Sequence, residues 1–194
     1  MKSIAEVLKI SCREAHIKTE KTLIDKLKAI KTIDDYIEIL TIFYGYFSPL
    51  EDQIEKKITA ESLPDIAKRK RSAFILADLQ KLQFEKPITI TEELPVINNY
   101  QQAAGAMYVL EGSTLGGQYI AQMLSAKPAL KEHHDAISFF SGYEQENLAM
   151  WNVFKQHLQA NIAKEADINI AVQSAIETFS LLDKWISKIK NGRN

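Results

Sequence analysis

Residues 103–124, AAGAMYVLEGSTLGGQYIAQML, place Met107, Leu110, Leu115, Ile120 and Leu124 at roughly helical spacing, with no period-two alternation. The same stretch holds Gly105, Gly112, Gly116 and Gly117, more than half of the seven glycines in the chain. Each glycine inside a helix costs on the order of 1 kcal/mol relative to alanine. A helix that keeps four of them gains something that side chains would prevent. Gly112 and Gly116 stand four apart, one above the other on a single face, and that face is bare backbone. Three uses stay open at this point: close packing of another helix, a left-handed helix end at residues 116–117, or a bend over a flat ligand.

The rest of the chain carries the same period. Ile4, Val7, Leu8, Ala15, Thr19, Leu23 and Leu27 form one apolar stripe, so a first helix is expected from about 3 to 28. His16 borders that stripe and is able to look inward, as a boundary residue or as a ligand. Thr32 and Asp35 form a capping box for a second helix, whose buried side is Tyr36, Ile39, Leu40, Phe43, Phe47 and Leu50. Pro49 predicts a bend or restart, with residues 51–58 continuing the helix. Ser62, Pro64 and Asp65 read as a further helix start, followed by Ile66, Phe74, Ile75, Leu79 and Leu82.

Residues 84–94, with Pro87 inside and Pro95 next, read as a loop. Asn98 and Asn99 lead into the glycine-rich helix, and Pro128 lies beyond its end. An aromatic patch over 137–143 precedes a helix over 144–160 marked by Leu148, Trp151, Phe154 and Leu158. A last helix begins at Asp167 and leads to a basic tail at about 188–194, a charge that suits a helix C-terminus. The expectation is a single all-α domain over residues 1–194, without internal repeats.

Composition narrows the chemistry by exclusion. The 24 basic and 25 acidic residues leave a formal charge of −1, which removes nucleic acid as a main partner. The single cysteine, Cys12, excludes an internal disulfide and any cysteine-rich metal site. No run reaches the roughly 18 apolar residues of a membrane span, and no N-terminal stretch has the order of a signal peptide. No membrane association and a cytoplasmic location are therefore expected.

Three residues before His16, His133, His134 and His157 stand Arg13, Leu130, Lys131 and Phe154, so the Glu-x-x-His pattern of di-iron bundles is absent. His133 and His134 are adjacent and point apart, which does not make a zinc site. Cys12 lies one turn from His16, yet nothing orients the pair, and a small buried hydrophobe accounts better for the thiol. What remains is a histidine able to face inward and a helix whose bare face admits a planar ligand. One axial histidine on haem iron is compatible with that combination.

Four segments then carry a resemblance that spans nearly the whole chain: LKISCREAHIKTE around His16, IDDYIEILTIFYGYFSPLE at 33–51, YVLEGSTLGGQYI at 108–120 and WNVFKQHL at 151–158. In this order they resemble the haem oxygenase family, most closely its bacterial branch. The resemblance implies a multi-helix bundle with a glycine-bent distal helix. His16 is then the proximal iron ligand, Gly112 and Gly116 form the bend above the iron, and Gly117 adjoins the cofactor. Lys9, Arg13 and Lys155 become partners for the haem propionates.

The activity implied is cleavage of haem by O2 and reducing equivalents to biliverdin, CO and Fe2+, haem being substrate as well as cofactor. The chain has no dinucleotide fingerprint, so an external donor is implied: a ferredoxin, a flavodoxin or a flavoprotein reductase. A biliverdin-using photoreceptor is a further partner open to this branch. Two departures stand out. Ser113 occupies the catalytic position where some relatives carry an aspartate, and a hydroxyl lacks that group's charge and reach. Gln159 stands where some relatives place a second basic propionate contact. A non-catalytic haem carrier or sensor of the same fold is the alternative that Ser113 raises.

Overall fold

Ser3 opens the first helix with a reciprocal capping box to Glu6, and Thr32 does the same with Asp35 for the third. In the computed structural model, which describes residues 2–188, the helices are α1 (Ile4–Ser11), α2 (Arg13–Lys28), α3 (Ile33–Glu55), α4 (Arg71–Lys81), α5 (Tyr100–Ser125), α6 (Ser138–Ser141), α7 (Asn147–Asn161) and α8 (Glu165–Ile186). Short 3-10 turns precede α4, α6 and α7, and no strand occurs among the described residues. The all-α expectation holds. The basic tail lies outside the described residues apart from Lys188, whose ammonium sits 4.1 Å from the centre of the Trp185 ring.

Three local expectations are corrected. The first helix is two helices, because Cys12 adopts φ −89° and ψ 0° and interrupts the backbone while its neighbours stay bonded on either side. Pro49 does not restart α3, which continues as one helix from Ile33 to Glu55. The Gly45 carbonyl, which an ordinary residue at 49 would satisfy, instead accepts the Thr91 N–H at 2.9 Å. Ser62 to Asp65 do not start a helix. Only the turn Ile66–Lys68 follows, and α4 begins at Arg71.

That start has no side-chain cap of its own. Glu51 of α3 supplies it, accepting the Arg71 N–H at 2.7 Å, the Ser72 N–H at 3.1 Å and the Ser72 hydroxyl at 2.5 Å. Two of the orphan amides at the head of α4 are thereby satisfied from another helix. The last two helices begin close to where their periodicity placed them, at Asn147 and Glu165.

α8 forms the spine. α5 crosses its first half, where Ser174 donates to the Gln102 carbonyl at 2.7 Å. α2 lies along its second half, where the Thr19 hydroxyl donates to the Phe179 carbonyl at 3.1 Å and Thr22 to Asp183 at 2.6 Å. α3 is tied to the same helix by Tyr46 donating to Thr178 and by Trp185 donating to Ile42. Phe43, Phe47, Phe139 and Phe140 fill the space between α3 and α6 with rings 4.9–5.9 Å apart. Burying each aromatic contributes on the order of 1.5–3 kcal/mol, so this cluster seats α6 firmly. α2 and α5 thus lean on one spine from two positions and make at most marginal contact with each other.

Candidate functional site

α5 runs as one helix from its Asn99 cap through all four glycines, so the pair at 116–117 does not end it. The glycines divide by what a side chain at each would meet. A Cβ at Gly105 would overlap the Ala171 carbonyl of α8, and one at Gly117 would overlap the Phe140 carbonyl of α6. These two permit close helix packing. A Cβ at Gly112 would find only the Trp151 ring at 3.9 Å, and one at Gly116 nothing within 4 Å. Those two leave bare backbone facing open space. Leu115 and Tyr119 flank them and are exposed, Tyr119 at 79%.

His16 lies on the first turns of α2, exposed on one side and with its ring edge-on to Phe179, centroids 5.4 Å apart. Ile10 and Ile17 beside it are also uncovered. Burial pushes the Tyr108 phenol of α5 up to about 12, and the nearby Cys12 thiol adds to that shift. Tyr108 lies one turn before Gly112 on α5. Its ring packs against Trp151 at 5.4 Å. His16 on α2 and the open glycine turn on α5 are each bordered by uncovered apolar side chains.

The basic residues are more dispersed. Lys9 and Arg13 are exposed on α1 and α2 and form no ion pair among the described residues. Lys155 lies on α7, its ammonium 5.9 Å from the centre of the Trp151 ring. It lines an open groove of about 620 Å³ with Ser3, Ala5 and Gln159, and neither His16 nor any glycine of α5 borders that groove. Gln159 accepts the Ile4 N–H at 3.0 Å, satisfying a first-turn amide of α1. A lysine or arginine there has no acceptor to offer, so the departure at 159 has a structural use. Ser113 is exposed, and its hydroxyl donates to the Leu110 carbonyl at 2.6 Å. His133 and His134 lie on the turn before α6, and no group of three or more metal-ligating side chains occurs among the described residues.

Sequence reasoning gave no functional role to one buried cluster. Glu111 precedes Gly112 and is 1% exposed, paired with the Arg69 guanidinium and accepting the Tyr143 hydroxyl at 2.7 Å. Arg69 also grips Asp65 through two bonds of 2.7 Å and donates to the Met150 carbonyl at 3.0 Å. Burial raises the Glu111 carboxyl above its ordinary range, and Arg69 and Tyr143 oppose that rise. Burial likewise disfavours the Arg69 charge, and Asp65 and Glu111 outweigh it. Arg71, also buried, lies among the Phe74, Phe139 and Tyr143 rings at 5.3–5.5 Å and donates to the Phe139 carbonyl. The only signal for these residues was the charge run at 69–71, which reads as a solvated surface.

The all-α bundle is the fold of solved haem oxygenases. The haem oxygenase of Neisseria meningitidis, solved with NO and CO bound, superposes with a TM-score of 0.80 at 20% identity, over 97% of this chain and 92% of that one. The haem oxygenase of Leptospira interrogans gives 0.77 at 18% identity, over 96% of this chain and 100% of the other. No curated protein matches in sequence. Residues 2–188 match the family described as heme oxygenase, and the chain belongs to that family. No helix among the described residues is long and apolar enough to cross a membrane.

Proposed function

We propose that this chain cleaves haem, using O2 and reducing equivalents to yield biliverdin, CO and Fe2+. The observation that carries the reading is the bare backbone at Gly112 and Gly116, which faces open space on α5. The missing side chains leave room for a flat ring to approach the backbone there. Leu115 and Tyr119 leave apolar surface uncovered beside it, as Ile10 and Ile17 do beside His16, and burying such surface contributes about 25 cal/mol per Å².

Bound haem supplies the iron at which O2 reacts and the ring that is opened. His16 would hold the haem iron through an imidazole nitrogen, a ligand that lacks the electron push of a thiolate. Gly112 and Gly116 let the reacting edge come close to the helix backbone, and Gly117 lets α5 lie near α6 at that height. Lys9, Arg13 and Lys155 would be the basic partners of the ring's carboxylates, Lys9 and Arg13 from exposed positions. Ser113 holds its proton toward Leu110, so its oxygen accepts from water on the exposed side and passes a proton on only when the hydroxyl turns. Electrons come from an external ferredoxin, flavodoxin or flavoprotein reductase.

The engaged hydroxyl of Ser113 favours a second reading, a haem carrier or sensor without turnover. Haemin titration followed by reductant and O2 separates the two. Loss of the Soret band with growth of biliverdin absorption supports the enzyme. A one-to-one Soret complex that persists under several donors supports the carrier, and failure to form a defined complex overturns both.

A further inference from the structure

Gly112 and Gly116 are suspended between two ties. On one side Glu111 points into the fold, away from the open face, and is held by Arg69 and Tyr143. On the other, Gly117 lies against the Phe140 carbonyl. Both ties lead to the same unit, α6 and the residues just after it. That unit is itself pinned by α4: Asp78 accepts the Ser138 and Phe139 amides at 2.9 Å each, and Arg71 donates to the Phe139 carbonyl. Arg69, just before α4, completes the ring of contacts through Glu111. The crossing with α8 at Gly105 lies two turns away and fixes the helix axis there, not the rotation of the open turn.

An apolar residue at 111 would anchor α5 as strongly. Replacing a buried ion pair by hydrophobic side chains is often neutral or stabilising, because desolvation offsets the attraction. What apolar packing lacks is direction. A carboxylate bonded by one guanidinium and one hydroxyl fixes both the height of the turn along its axis and its rotation.

We propose that the Arg69–Glu111–Tyr143 clamp is a positioning device, in which Glu111 sets the register of the open Gly112–Gly116 turn and so selects which edge of a bound flat ring is attacked. This rests on the haem-cleaving reading for its consequence, and on the clamp geometry alone for its cause. Glu111 touches no substrate here; it acts through Gly112.

Two variants test it, Glu111→Gln, which keeps the shape and removes the charge, and Tyr143→Phe, which removes one hydroxyl and spares the pair. In the ligand-free proteins, amide hydrogen exchange at 113–117 is expected to quicken at least tenfold in Glu111→Gln, and less in Tyr143→Phe, while amides around Thr178 of α8 keep their protection. With haemin, reductant and O2, the ratio of biliverdin isomers is expected to shift at least threefold in Glu111→Gln. A clamp that serves stability alone would lower the melting temperature and leave the isomer ratio where it was, and that result overturns the proposal. Unchanged exchange at 113–117 in folded Glu111→Gln overturns it as well. If the wild type opens no ring yet the exchange quickens as expected, the clamp stands and the haem-cleaving reading is what fails.

Discussion

Gly116→Ala is expected to make the ligand-free protein more stable. The position is inside α5, and an added Cβ meets nothing within 4 Å. The substitution therefore has no packing penalty and recovers the helix-propensity difference, about 1 kcal/mol. For a chain of this length that is a rise of roughly 2–4 °C in melting temperature. The matched control is Gly105→Ala on the same helix. There the Cβ overlaps the Ala171 carbonyl, a backbone atom that cannot rotate away, so α5 and α8 must part. The expected cost is about 1–3 kcal/mol after the propensity gain, a fall of several degrees. Thermal unfolding by circular dichroism, with calorimetry on the same samples, reads both. If Gly116→Ala destabilises the protein, or Gly105→Ala stabilises it, the division of the glycines into open and packed is wrong. A haem titration of Gly116→Leu then tests the use of the open one: a branched side chain in that space should weaken binding at least tenfold, and unchanged affinity would remove Gly116 from the site.

His16→Ala is expected to alter stability by no more than ~1 kcal/mol, since the ring is exposed and, among the described aromatics, touches only Phe179, while abolishing the axial-histidine signature of the haem complex. An unchanged axial spectrum would sink the ligand role. Burial lifts the Glu51 carboxyl from its ordinary 4.5 to about 7, so between those pH values the folded state keeps a proton that the unfolded state has released. Stability should therefore fall as pH rises through that window, and Glu51→Gln should flatten the slope in urea titrations at about pH 5 and about pH 8. Burial also pushes the Cys12 thiol up to about 11, which predicts alkylation at least ~100-fold slower in the native protein than in urea. Comparable rates would mean that the α1–α2 break opens readily.

What the sequence made legible was local. The capping box at Thr32 and Asp35, the Asn99 cap and the proline-flanked loop each declare themselves within a few residues, and the structure has them in place. The errors arose where a partner from elsewhere decides. α4 starts at Arg71 because Glu51, twenty residues upstream, caps it, and no motif near Arg71 records that. The kink at Cys12 falls in an unbroken apolar stripe with no glycine or proline to mark it. The glycine face was readable, yet its division was not, because Gly112 and Gly117 differ only in what stands opposite. Glu111 was hidden for the same reason: its neighbour Gly112 drew attention, while its own partners come from residues 69 and 143.

The Gly45 carbonyl has a consequence for how this chain is able to vary in length. Surface loops usually accept extra residues, since closure entropy grows only slowly as a loop lengthens. The segment between α4 and α5 is bound by a stricter condition. Thr91 must bring its N–H to the one carbonyl that Pro49 cannot serve, while Thr89 comes so close to the same residue that only glycine fits at 45. One residue added on either side of Thr91 moves that donor out of reach and strands a carbonyl inside a helix. Insertions, fused tags and natural length differences should therefore be excluded around residues 89–91, even though Ile90 between them is open to solvent.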